Sequence, residues 1–179
     1  MRVPKLNLAA GNDKLRPALQ YIYVNKEHIT ATNGHILILH NRSLLDFIVD
    51  LPSECFILNT EWVKLTKSFK TAIYDSKLEA IILENKRWSK TLVKVKTEVK
   101  FKYPNFLSVM KENLKPVEII KLDPKLLLDL SQAASIEKTT KVELQFSGIN
   151  KGINVYFLTI HNRIPNVKGL IMPILTNNL

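Results

Sequence analysis

Apolar and polar positions near the start of the chain fall into short runs separated by turn chemistry. Tyr21–Val24 is followed by the polar break Asn25-Lys26-Glu27-His28 and then by the apolar-rich run Ile29–Leu39, which predicts a hairpin leading into a buried strand. Asn33-Gly34 interrupts the second run, and both residues tolerate the positive φ of a tight reversal. Ahead of these runs, Pro4, Gly11, Asn12, Asp13 and Pro17 break any periodicity and predict a short strand and a loop over 1–20, without a helix. Leu44–Leu51 is apolar but bounded by Asp50 and Pro52, as a connection or short strand would be.

The period changes after Phe56-Ile57-Leu58, which reads as a strand end. Asn59 offers an N-cap, Glu61 suits the first turn, and Trp62, Leu65, Phe69 and Ile73 recur at helical spacing, so a helix with one apolar stripe is predicted. Lys64, Lys67 and Lys70 then form a basic ridge on its other side, either a merely solvated face or one that contacts phosphates. Leu78–Leu83 predicts a strand, Asn85-Lys86-Arg87 a turn, and Trp88–Phe101 a long alternating strand. Thr91, Val93, Val95, Thr97, Val99 and Phe101 share one face of it, and Leu92, Lys94, Lys96, Glu98, Lys100 and Lys102 the other. Exposed lysines on a strand discourage edge-to-edge association, and that reading is favoured here over DNA contact.

Tyr103-Pro104-Asn105-Phe106 ends this unit, and Lys111–Pro116 reads as a linker. The pattern then restarts: a strand over Val117–Leu122, an N-cap at Asp123 with Pro124 in the first helical position, and a stripe of Leu126, Leu127, Leu130 and Ala134. Strands over Lys141–Phe146 and Ile153–Ile160 follow, then a turn at Pro165-Asn166 and a last apolar run, Gly169–Leu175. Residues 56–102 and 117–160 thus repeat one order of elements with a period of about 60 residues. The fold class expected is α+β, with repeated strand-helix-strand-strand units and helices lining one side of antiparallel sheets. The expected division is 1–115 and 116–179.

Composition narrows the function classes. The 179 residues are 46% apolar, enough for a core, and no window reaches the roughly 18 apolar residues of a membrane-spanning helix. With no secretion signal at the N-terminus, a cytoplasmic protein with no membrane partner is expected. Cys55 is the one cysteine, in an apolar setting, so no disulfide framework or cysteine metal cluster is available. A formal charge of +10, from 26 Lys and Arg against 16 Asp and Glu, points to an anionic partner, most commonly nucleic acid.

Four separated pieces change the picture. Arg16-Pro17-Ala18-Leu19 with Ala31-Thr32-Asn33-Gly34-His35, then Tyr103-Pro104-Asn105-Phe106 with Val109, then Ile171-Met172-Pro173-Ile174, resemble in order and spacing the bacterial DNA polymerase III β subunit, the sliding clamp. The resemblance runs from about residue 15 to 175 through strongly diverged sequence. It implies a non-catalytic replication processivity factor, built of repeated units closed into a ring with helices toward the DNA. It also implies a pocket for a short apolar peptide motif carried by replication and repair proteins. The matched pocket positions are Leu19, Thr32, Gly34, His35, Leu37, Pro104, Val109, Met172, Pro173 and Ile174. Without the resemblance, Met172–Leu175 reads as an ordinary edge strand with core residues. The family usually has Asp where Asn33 stands, Arg where Ile36 stands, and basic residues near Ser108, so the pocket's polar rim departs more than its apolar floor. A full clamp subunit has three domains; this chain is about half that length and is expected to lack the first domain and the first helix of the second, so the usual dimeric ring is not expected.

Two functions follow from these features. One is a clamp-like replication protein that binds partner peptides in the apolar pocket and contacts duplex DNA through Lys64, Lys67 and Lys70, with Lys121 and Lys125 beside the second helix. Self-association into a ring is conceivable. The other is a DNA-independent adaptor or decoy that occupies clamp-binding peptides or binds a clamp. Catalysis is not expected: His28, His35, His40 and His161 stand in no HExxH motif, and CxxC, GxSxG and glycine-rich phosphate loops are absent. No cofactor or metal is implied.

Overall fold

The computed structural model describes residues 3–85, 89–110, 120–134, 141–148, 151–158 and 163–174. β1 (Tyr21–Val24), β2 (His28–Thr32) and β3 (Ile36–Asn41) form an antiparallel meander. Ile22, Val24, Ile29, Ala31, Ile36 and Ile38 are buried on its inner face, while Tyr23, Leu37 and Leu39 lie on the other. β3 is buried on both faces up to His40, which explains a run that is apolar without alternating. β4 (Cys55–Leu58) adds to the far side of β1.

After α1 (Asn59–Leu65), the strands β5 (Thr71–Asp75), β6 (Ala80–Glu84) and β7 (Lys90–Lys94) make a second, three-stranded antiparallel sheet. The remainder is α2 (Pro124–Ala134), β8 (Lys141–Gln145), β9 (Ile153–Leu158) and β10 (Arg163–Ile171). β10 pairs with β9 on one side and β3 on the other, giving a seven-stranded sheet in the order β4-β1-β2-β3-β10-β9-β8. Both helices pack on its inner face: Trp62 and Leu65 of α1, and Leu130, Ala133 and Ala134 of α2, join Ile22, Ile38, Val155 and Phe157 in one core. This is the expected α+β arrangement of antiparallel sheet with helices on one side.

Gly169 lets α2 approach β10 closely, because a Cβ there would stand 2.7 Å from Cδ2 of Leu130. A 3-10 turn at Leu6–Leu8 packs against both helices, and Trp62 Nε1 donates to the carbonyl of Pro4 at 2.8 Å. Residues 3–20 thus contain two 3-10 turns, the second at Pro17–Gln20, in place of the expected strand.

Other expectations are corrected. The helix after β4 ends at Leu65, far short of Ile73. Phe69 lies beyond it, 5.5 Å from the ring of Phe47, and Ile73 stands on the outer face of β5 opposite Ile82. Asn59 is the first helical residue, not the cap, and its amide donates to Gly11 O at 2.8 Å and Asn12 Oδ1 at 2.7 Å. The long strand expected over Trp88–Phe101 stops at Lys94, after which Lys96 forms a bridge to Phe56 of β4. Pro165-Asn166 lies within β10, at a register irregularity between Arg163 and Lys168. Residues 120–122 are not a strand. The expected 115/116 boundary, residues 117–119 of that segment, the linker, His161 and Leu175 lie outside the described residues.

Candidate partner-binding site

The site starts at the β2–β3 reversal. Thr32 Oγ1 donates to Ile36 O at 2.7 Å and accepts from the Gly34 N–H at 3.1 Å, while Asn33 Oδ1 accepts from the N–H groups of His35 and Ile36 at 2.9 and 3.0 Å. Gly34 has φ 92°, and a Cβ there would lie 3.2 Å from Arg16 Nη1 and 3.8 Å from Leu19 Cδ1. Leu19 is anchored by its carbonyl, which accepts from Gly11 N–H at 2.7 Å. The chain after β10 reaches the same turn: Met172 N–H donates to His35 O at 2.8 Å, and Ile174 N–H to Lys121 O at 3.0 Å. Pro173 is buried between them, while Met172 and Ile174 keep 38% and 53% of their surface exposed.

Leu19, Thr32, Gly34, His35 and Met172 therefore adjoin one another, with Pro173 and Ile174 continuing the same edge. Leu37 belongs to a neighbouring group: it opposes Leu170 across the β3–β10 pair, and both pack with Leu39 under Phe106. Phe106 comes from the strap 101–110, which crosses the outer face of the sheet, and Tyr103 of that strap donates its hydroxyl to Tyr21 O and Thr30 O at 3.3 and 3.2 Å. Beneath the strap a cavity of about 320 Å³ is lined by His28, Leu39, Asn41, Leu107, Met110 and Lys168. Val109 is half exposed on the strap, and Pro104 lines a different cleft, beside β1 and β4. Ile36, where the family usually has arginine, is 1% exposed on the core face. Its apolar character therefore serves the core and takes nothing from the rim.

Among the described residues, no group of three or more His, Cys, Asp or Glu is placed to hold a metal ion. The shifted groups have structural causes. Burial pushes the Tyr23 phenol up to about 12, assisted by its 2.7 Å hydrogen bond to Glu54, and burial alone raises Tyr103. Burial likewise pushes Cys55 up to about 12.

The lysines expected on DNA do not share one helix face. Lys64 Nζ donates to both oxygens of Glu61 at 2.8 and 2.7 Å and to Leu92 O at 3.0 Å. Lys67 and Lys70 follow the end of α1, while Lys121 precedes α2 and Lys125 lies exposed in its first turn. The strap was not foreseen, although Tyr21 and Tyr23 alternating with Ile22 and Val24 leave β1 without a polar face and so signal a cover.

No family model matches this chain, and no curated protein sequence does. Solved structures do. The Thermotoga maritima DNA polymerase III β subunit superposes with a TM-score of 0.63 at 13% identity, over 96% of this chain and 63% of that one. The fold is that of a bacterial sliding clamp. The Helicobacter pylori β clamp bound to a DNA ligase peptide has a TM-score of 0.63 at 11% identity, covering 97% of this chain and 64% of that one. The Bacillus subtilis sliding clamp has 0.55 at 12%, covering 97% and 63%. The chain spans less than two thirds of each of these clamp proteins. At these identities the likeness concerns the clamp fold itself.

Proposed function

We infer that the chain is a non-catalytic, sliding-clamp-like replication protein that receives short apolar peptides from replication or repair partners at the Leu19–Gly34–Met172 edge. The supporting observation is the 2.8 Å hydrogen bond from Met172 N–H to His35 O, which sets the partly exposed Met172 at the glycine reversal that Leu19 also packs against. A flexible thioether next to a rigid proline makes an adaptable apolar ledge, and one or two large side chains of a peptide supply most of the affinity at such a surface. The structure of the Helicobacter pylori clamp with a DNA ligase peptide supports peptide capture as the activity to test.

The test is a titration of a fluorescein-labelled peptide of that ligase type. Binding by the native chain, weakened about ten-fold or more by Met172→Ala alone and lost with Leu19→Ala added, is expected. Equal binding by a folded Met172→Ala variant overturns the assignment. Met172 carries the decision because it is exposed, whereas Leu19, 7% exposed, also serves packing.

A further inference from the structure

A run of exposed lysines lies on the opposite side of the sheet from the helices. Beyond β7 the chain leaves the three-stranded sheet, bridges β4 at Lys96, and then crosses the outer face of β1, so Lys96, Lys100 and Lys102 are all exposed beside that face. The face is aromatic. Tyr23 and Phe56 stack at 5.0 Å and 25°, Phe101 lies 5.2 Å from Tyr21 and 5.6 Å from Phe56, and Tyr103 lies 5.0 Å from Tyr23. Between the strap and the strands a cleft of about 680 Å³ is lined by Tyr23, Phe56, Phe101 and Tyr103, with Lys102 and Glu98 among its walls. Glu54, also in the wall, is occupied by the Tyr23 hydroxyl at 2.7 Å. Lys96 Nζ stands 5.5 Å over the Tyr21 ring, so the aromatic floor and the cation row are in contact.

We propose that this cleft binds single-stranded nucleic acid, with the partly exposed Phe101 taking a base face over the packed aromatic floor and Lys96, Lys100 and Lys102 following the phosphates. Aromatic surfaces flanked by cations bind single strands with little sequence preference, because every base has a π-face and every nucleotide a charge. A duplex hides its base faces and gains only the phosphate part. Three exposed lysines against Glu54 and Glu98 leave the cleft and its rim net positive, which favours a polyanion over a neutral apolar peptide. The cleft includes Pro104, one of the expected peptide positions, but lies apart from the Leu19–Gly34–Met172 edge on which the peptide reading rests.

Fluorescence anisotropy with a labelled oligothymidylate of about 15 nucleotides tests it, using the full chain. About three neutralised phosphates give a log-log salt slope near −2 on a single strand. Combined Lys96→Ala, Lys100→Ala and Lys102→Ala substitution is expected to weaken binding about ten-fold and flatten that slope. Phe101→Leu keeps the packing apolar and is expected to weaken binding several-fold with the slope unchanged, which a purely structural or purely ionic role would not do. Thermal melting identifies folded variants. Undiminished binding by the folded lysine variant overturns the proposal, as does equal binding by folded Phe101→Leu. A duplex of the same length whose binding the Lys96, Lys100 and Lys102 substitutions weaken as much as they weaken the single strand also overturns it. So does loss of ligase-type peptide binding in these variants with oligothymidylate unaffected, which would make the cleft a peptide site.

Discussion

His40 lies on the core side of β3 with 1% of its surface exposed, its Nε2 3.3 Å from the carbonyl oxygen of Ala133 near the end of α2. Burial lowers its pKa to about 4, against the smaller opposing effect of that carbonyl. The unfolded chain therefore binds a proton through this residue at a higher pH than the folded one, and stability falls with pH between about 6.5 and 4. The loss across that window is expected to reach about 3 kcal/mol. Thermal melts from pH 7 to 4 check it: His40→Gln, which keeps a donor toward Ala133, should melt with a shallower pH dependence than the native chain. The residue was legible as a histidine of interest but not as a core residue. Period two from Ile36 and Ile38 places position 40 on the core face, yet Leu37 and Leu39 are apolar as well and mask the alternation.

At the scale of elements, β7 carries an outer edge that α1 closes. Glu61 Oε2 accepts the Lys94 N–H at 2.8 Å, Lys64 donates to Leu92 O at 3.0 Å, and Lys96 exchanges two backbone bonds with Phe56 at 2.8 and 2.9 Å. Partial burial works against the Glu61 carboxylate, but Lys64 and the Lys94 N–H outweigh it and hold its pKa below the ordinary value. Glu61→Ala leaves an edge amide and Lys64 without their acceptor. It is expected to cost about 1–3 kcal/mol in denaturant unfolding and to shift the chain toward larger species in size-exclusion chromatography, since an unpaired strand edge invites another. The Glu61 to Lys64 spacing was visible, but its target was not, because side-chain capping of a strand 33 residues away leaves no local pattern. The short helix was overextended for a related reason. Phe69 and Ile73 continue the helical spacing by coincidence, one serving a contact with Phe47 and the other the outer face of β5. Where local chemistry decides, as at Asn33-Gly34 and Asp123-Pro124, the elements were readable.

Across the whole molecule, charge and fold are distributed differently from the first expectation. The solvent side of α1 carries Thr60 and Val63, and that of α2 carries Lys125, Leu128 and Gln132, so the helix side is weakly basic despite a net charge of +10. Duplex binding through this side is expected to show a salt slope near −2, about one unit for each of Lys67 and Lys125. Lys67→Ala with Lys125→Ala should flatten the slope in a filter-binding series, while Lys64→Ala, whose ammonium is held by Glu61, should leave it unchanged. The order of a helix followed by two strands, after Leu58 and again after Asp123, was readable along the chain, whereas the strand expected before the second helix is not present over 120–122. Which strand of one repeat meets which strand of the other was not readable, since β3 and β10 are both apolar enough to pair with several neighbours.

That β3–β10 pair joins Ile36 to Ile171 and His40 to Val167, in the middle of the seven-stranded sheet. On a ribosome, β3 is made well before its partner. Throughout synthesis the nascent chain holds out a strand that is apolar on both faces and half unpaired, and any chain ended before Arg163 keeps that strand open for good. Pairings at such sequence separation are slow to form and expose the chain to association while they wait. β10 therefore acts as a latch on the sheet: until it has been made and docked, β3 is open to any strand edge that meets it.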